Sequence, residues 1–334
     1  MKKYIIKVLN GMALGLFSSL IIGLILKQLG ILIKVDLIVS FGGMAQKLMA
    51  PAIGAGVAYS LGAPGLVIFA SMIAGAIGGG AVNEVDGKTL LSIGEPVGAF
   101  VSSLISAELG KRIFGKTKID IILIPAIVIT AGGFTGYYCS PVIARFMNYI
   151  GEVINFATHQ QPFIMGILVS CIMGIALTMP ISSAAIGISL NLSGLAAGAA
   201  VVGGASHMIG FAVASYRDNK LGGLFSQGLG TSMIQISNIV KKPVIMLPAI
   251  ISSIILGPVS TLIFKMESNA IGSGMGTSGL VGQISTYSVM GKNSLISILL
   301  LHFLFPAIIS YICASIMRKR GIIRQGDMSL SSVN

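Results

Sequence analysis

Apolar runs of roughly 20 residues, the length needed to cross a bilayer as a helix, recur along almost the whole of this 334-residue chain. Hydrocarbon leaves backbone polar groups only two ways to be satisfied, helices or closed barrels, and runs of this length select the helix. The charged residues do not break the pattern, because they make up only 10% of the chain against 54% hydrophobic. The sequence therefore reads as an all-α polytopic membrane protein of about ten transmembrane helices with re-entrant hairpins, its two halves weakly similar.

A net charge of +12 would suit nucleic acid, but the cations do not line one face. Lys2, Lys3 and Lys7 precede the first run, Lys111 to Lys118 separate two middle runs, and Arg318 to Arg324 follow the last. They read as topology signals that place both termini in the cytoplasm, with the bilayer and not nucleic acid as partner. Cys139, Cys171 and Cys313 sit in or beside apolar runs without metal or disulfide spacing, so they read as packing residues. No metal site and no cofactor are expected. The commoner catalytic motifs are missing, and no nucleophile pairs with a base by spacing, so no catalytic residues are assigned.

The spacing of turns and charges divides the chain into an N-terminal transmembrane half, 1–140, an amphipathic interfacial helix or linker, 141–161, a C-terminal transmembrane half, 162–317, and a cytoplasmic tail, 318–334. Expected spans include Leu37 to Leu61, whose Gly54, Gly56 and Gly62 permit close helix approach. The run Ile181 to Gly204 is followed by a short segment, Ala205 to Tyr216. Gly222 to Val240 and Ser268 to Lys292 are too glycine-rich or too flanked by charge for plain crossings and read as re-entrant. Two short internal matches, Lys116–Ile127 with Val240–Ile250 and Gly15/Ser19/Gly23 with Gly166/Ser170/Gly174, suggest two related halves without defining a symmetry operator.

The most informative stretch is Gly75 to Phe100, where Glu84, Asp86 and Glu95 interrupt apolar sequence. Glu84 and Asp86 read as an exterior loop. Glu95 has hydrophobic residues on both sides, and a carboxylate at that depth belongs to a polar pocket. In Ile93-Gly94-Glu95-Pro96-Val97 the proline fixes the backbone and removes a donor, while the carboxylate can accept hydrogen bonds from two hydroxyls, chemistry that suits a polyol. His207, within Gly203–Gly210, has two readings: an imidazole that donates and accepts to a solute, or one bonded locally to hold its segment. His302 reads as structural. The amides Asn191, Gln227, Gln235, Asn238, Asn269 and Gln283 are either interhelical glue or solute ligands, and Gln227 and Gln283 lean to ligand because they lie on the suspected re-entrant segments. Arg217-Asp218-Asn219-Lys220 reads as a solvated charged turn.

The segment around Glu95 resembles the Gly-Ile-x-Glu-Pro-Val loop of the membrane IIC subunits of the bacterial phosphotransferase system, with Ser92 in place of the first glycine. From Lys2 to Arg318 the order of glycine-rich spans and polar hairpins is similar to a compact, stand-alone branch of that superfamily, which includes toxin-regulator-like members. The resemblance implies a homodimeric permease in the bacterial cytoplasmic membrane, carrying a sugar by alternating access, with a separate phospho-IIB protein as phosphoryl donor. It implies that the glutamate contacts the sugar. The expected binding residues are then Glu95, His207, Gln227, Gln283 and Asn191, with the solute between the two halves. Two alternatives stay open: a membrane regulator or receptor that keeps the fold without transport, and an ion-coupled carrier of an organic anion using Lys47 or Arg217.

Overall fold

The computed structural model describes residues 2–85 and 88–330. Its contacts group the chain into two compact units, Met1–Phe146 and Met147–Asn334.

In the first unit, α1 (Lys2–Leu16) runs through a π-helical turn, Phe17–Ile21, into α2 (Ile22–Ile33). Lys34, in the left-handed region at φ 58°, ends it. The expected single span Leu37 to Leu61 is instead two helices, α3 (Asp36–Lys47) and α4 (Met49–Ser60), bent by 54°. Pro51 explains the break: it has no N–H for the carbonyl of Lys47, so the helical ladder cannot pass Leu48 intact. α5 (Gly65–Gly78) follows the Pro64 turn, and α6 (Pro96–Ile113) completes the packed set, with α1 on α4, α2 on α3, and α4, α5 and α6 on one another. Gly54 and Gly56 serve close approach, since a Cβ at either would overlap a carbonyl of the neighbouring helix, that of Ser71 or of Gly11. Gly62 has a different task. It has open space around it and φ +68°, so it makes the turn rather than the packing.

Between α5 and α6 lies an antiparallel hairpin, β1 (Val82–Val85) and β2 (Lys88–Leu91), with Val82 opposite Leu91 and Val85 opposite Lys88. The expected exterior loop is thus partly a β-hairpin. Asp86 lies outside the described residues.

The long helix α7 (Asp120–Thr158) contains Pro125 and Pro141 and continues through the segment read as an interfacial helix. The second unit then contains α8 (Pro162–Thr178), α9 (Ser183–Ser189), α10 (Gly194–Ala214) and α11 (Tyr216–Phe225), a π-helical turn at Ser226–Gly230, and a 3-10 turn at Ser232–Gln235. After α12 (Ile236–Lys241) come α13 (Leu247–Pro258), α14 (Ala270–Ser273), α15 (Val281–Met290), α16 (Leu295–Ile298) and α17 (Phe305–Lys319), the last preceded by a π-helical turn at Leu299–Leu304. α10 is the centre of the unit, buried along nearly its whole length and packed on α8, α13 and α17. Its small residues permit this: a Cβ at Gly203 would overlap the carbonyl of Ser170 on α8. The expected division at Gly204/Ala205 is corrected, because Gly194–Ala214 is one helix. Glycine there serves helix–helix contact and does not end the helix.

Five helices are long and apolar enough to cross a membrane: Lys3–Ile31, Asp120–Thr158, Gly194–Ala214, Pro243–Ile263 and Ser278–Lys319. The bent pair α3–α4 makes a sixth if it is one span. By length and composition among the described residues, this is a helical multi-pass membrane protein with fewer full-length apolar helices than the ten spans expected. Two further apolar helices, α5 (Gly65–Gly78) and α8 (Pro162–Thr178), are shorter than a full crossing.

Candidate functional site

In the first unit the hairpin and the N-terminus of α6 hold Glu95. Its backbone N–H donates to the carbonyl of Gly79 at 2.7 Å, and Ser92 N–H donates to the carbonyl of Ala81 at 2.9 Å, so the loop is laced to the end of α5. Ser92 Oγ donates to the Gly80 carbonyl at 3.0 Å, so the serine adds a side-chain tie to the same lacing. Gly94 sits at φ +79°, the left-handed region open to glycine, and turns the chain into the helix. Glu95 is the N-cap of α6, with Pro96 at the first helical position; one carboxylate oxygen, Oε2, accepts the Gly98 N–H at 2.8 Å. The other, Oε1, is buried and has no hydrogen-bond partner among the described residues. A capping carboxylate needs only one oxygen. The second is a buried acceptor with capacity for a hydroxyl.

In the second unit His207 is fully buried on α10. Its Nδ1 lies 2.8 Å from Thr178 Oγ1, which lies 2.8 Å from Ser232 Oγ and 3.0 Å from the Gly174 carbonyl. A hydroxyl has one donor and two acceptor positions. The Gly174 carbonyl can only accept, so Thr178 donates there, and His207 Nδ1–H and Ser232 Oγ–H must both donate to Thr178. The tautomer follows from this count. Nε2 is then a lone-pair acceptor, buried, with no partner among the described residues. It lies beside Gly174, where a Cβ would come within 3.0 Å of it. Thr178 and Ser232 gave no signal in the sequence, since isolated hydroxyls in apolar runs are common and their meeting spans 54 residues.

Gln227, on the π-helical turn Ser226–Gly230, has both amide protons committed, to Ser215 Oγ and to the Gly223 carbonyl, each at 2.8 Å, while its Oε1 accepts from Gln235 Nε2 at 2.9 Å. Gln235 in turn accepts from Asn238 at 2.8 Å. Gln283 lies 3.1 Å from His302 Nδ1, and Gln283 Oε1 and His302 Nε2 are both buried without partners among the described residues. His302 stands on the π-helical turn Leu299–Leu304, a distortion that often accompanies function. Asn191 is exposed at φ 47° and ends α9, a position that asparagine tolerates. Asn269 caps α14 by accepting the N–H of Ile271 and Gly272. No hydrogen bond joins His207, Gln227, Gln283 and Asn191 to one another among the described residues; each has its own surroundings. Glu95 belongs to the other unit. No group of three His, Cys, Asp or Glu side chains forms a metal cage among the described residues.

The turn Arg217–Lys220 is only half the solvated loop expected: Arg217 and Lys220 are exposed, whereas Asp218 and Asn219 turn inward. The Asp218 side chain is 1% exposed and accepts from the N–H of Gly326 and Met328 and from Arg318. Asn219 donates to the Met328 carbonyl and accepts from Leu330 N–H, both at 2.8 Å. The segment after α17 folds back onto the unit and satisfies these groups, a long-range contact that adjacency in sequence could not reveal.

Comparison with known proteins adds a family assignment. No curated protein and no solved structure matches the chain. The family model for the phosphotransferase system, EIIC (PTS_EIIC_2), matches residues 6–330, nearly the whole chain, and with it the loop around Glu95. This helical, multi-pass chain belongs to the phosphotransferase system EIIC family of membrane permeases.

Proposed function

We propose that the chain is the sugar-conducting subunit of a phosphotransferase system, binding a sugar or similar polyol and moving it by alternating access. The observation that carries the reading is Glu95: a carboxylate with one oxygen fixed on the α6 N-terminus and the other buried, with no hydrogen-bond partner among the described residues. A preorganised acceptor of this kind binds a neutral polyol without needing a counter-charge. The family membership supports a separate IIB protein as phosphoryl donor. His207, Gln283 and Asn191 are proposed as further contacts. Gln227 is proposed to reach solute only after its bonds to Ser215 and Gly223 exchange. A homodimer in the bacterial cytoplasmic membrane with both termini inside, and about ten crossings once re-entrant segments are counted, completes the reading.

The test is Glu95→Gln, which keeps size and one acceptor but removes the charge. In membrane vesicles supplied with phospho-IIB, uptake across a panel of sugars is expected to fall at least about tenfold, as for loss of a charge-assisted hydrogen bond, with the variant inserted at wild-type level. Unchanged uptake of a sugar that the wild type carries would refute Glu95 as the anchor.

A further inference from the structure

The basic end of the second unit carries two adjoining clefts that the transport reading does not use. One, of about 420 Å³, is walled by Val213, Leu224, Tyr311 and Ala314. The other, of about 550 Å³, lies among Arg217, Lys220, Arg318 and Arg324. Arg217, Lys220 and Arg318 line both, so the apolar cleft opens directly onto the cationic one.

The charges there are not balanced from within. Asp218 lies 3.4 Å from Arg318, but its two oxygens already accept the N–H groups of Gly326 and Met328. Asp327, the next carboxylate along, pairs with Lys242 at 2.6 Å. Among the described residues Arg217 and Lys220 enter no ion pair, while Arg324 shares the field of Asp327 with Lys242. Lys220 also holds a backbone conformation, φ 53° and ψ −148°, that is normally glycine's, inside α11. Such strain persists only where the surroundings over-determine it, and it gathers at binding sites. The level is also specific: α10 ends at Ala214 and α17 at Lys319, both on membrane-length helices. A cationic cleft at the ends of apolar, membrane-length helices matches the chemistry of a hydrocarbon–headgroup boundary.

From these observations we infer that Arg217, Lys220, Arg318 and Arg324 bind the phosphate of an anionic phospholipid whose acyl chain lies in the Val213/Leu224/Tyr311/Ala314 cleft. A free phosphate would fill the cationic cleft alone and give the apolar one no role. An amphiphile fills both, and its headgroup charge meets cations at the membrane surface. Arginine forks suit phosphate oxygens, and a lysine adds a point charge.

The test uses the full-length protein in detergent, with native mass spectrometry of retained phosphatidylglycerol against phosphatidylcholine of the same acyl chains, and inorganic phosphate as competitor. The wild type is expected to retain phosphatidylglycerol in preference, with millimolar phosphate displacing little of it. Arg217→Gln with Lys220→Gln should lower that preference by about tenfold to thirtyfold, at about a kcal/mol for each charge removed. Arg217→Lys with Lys220→Arg should keep it. Leu224→Trp, which fills the apolar cleft, should lower retention while leaving the thermal midpoint of delipidated protein in place. Equal retention of the two lipids, full displacement by phosphate, or a double Gln variant that keeps the preference with an unchanged thermal midpoint would each overturn the assignment.

Discussion

Removing the side chain of Asn219 should release the C-terminal segment, and the structure indicates by how much. Ile323, Met328 and Leu330 are 1%, 0% and 4% exposed, so the segment is docked by apolar burial worth about 1.5 to 3 kcal/mol per side chain. Asn219 adds two hydrogen bonds, to the Met328 carbonyl and from the Leu330 N–H. With alanine there, Gln235 still serves the Met328 carbonyl at 2.9 Å, but the Leu330 amide is left buried without its acceptor. An orphaned buried amide costs about 1 to 3 kcal/mol. A loss of about 2 kcal/mol multiplies the undocked population by about thirtyfold. Trypsin reads this directly: Arg324 is exposed, but the neighbouring Ile323 is buried, so cleavage after Arg324 requires undocking. When undocking is fast relative to cleavage, the rate follows the open population. Asn219→Ala should therefore be cut after Arg324 about thirtyfold faster than wild type. Asp327→Asn keeps an acceptor for the Arg324 amide and removes the charge from a partly exposed pair with Lys242, worth about 1 kcal/mol, and should gain no more than about fivefold. Wild-type cleavage of Asn219→Ala, or a larger effect from Asp327→Asn, would refute this division between amide bonding and surface charge.

The same contact carries a pH dependence. Burial alone would raise the Asp327 carboxyl, but the Lys242 ammonium and the Arg324 amide outweigh it and hold the group below the usual carboxylate range. A carboxyl lowered in the folded state contributes stability above its unfolded pKa and loses it as pH falls through the lowered value. Hydrogen exchange at Met328 should therefore quicken below the ordinary carboxylate range in the wild type and show no such step in Asp327→Asn. Gly203→Leu should prevent α10 from seating on α8, because even a Cβ overlaps the Ser170 carbonyl; loss of folded protein by size-exclusion chromatography is expected, and a folded variant of wild-type thermal midpoint would refute the packing. Thr178→Val is close in shape but leaves His207 Nδ1–H, Ser232 Oγ–H and the Gly174 carbonyl short of one partner each. Thermal unfolding should report a loss of about 2 to 4 kcal/mol, and Thr178→Ser should recover most of it.

What could be read without coordinates was whatever depends on neighbours in the chain. Apolar length alone required a helical membrane protein, since a run that crosses hydrocarbon must satisfy its own backbone. Gly94-Glu95-Pro96 also read correctly as a backbone device, because a positive φ before a proline-started helix is local. The bend at Leu48 was within reach of the same logic through Pro51. Tertiary structure decided who bonds whom. The amide of Gln227 turned inward to Ser215, Gly223 and Gln235, the hydroxyl of Thr178 met Ser232 and His207, and Asp218 and Asn219 left solvent to hold residues more than 100 positions away. Apolarity is a property each residue carries by itself and can be summed along a window; a hydrogen bond belongs to a pair, and which pair forms is set only when the helices have packed.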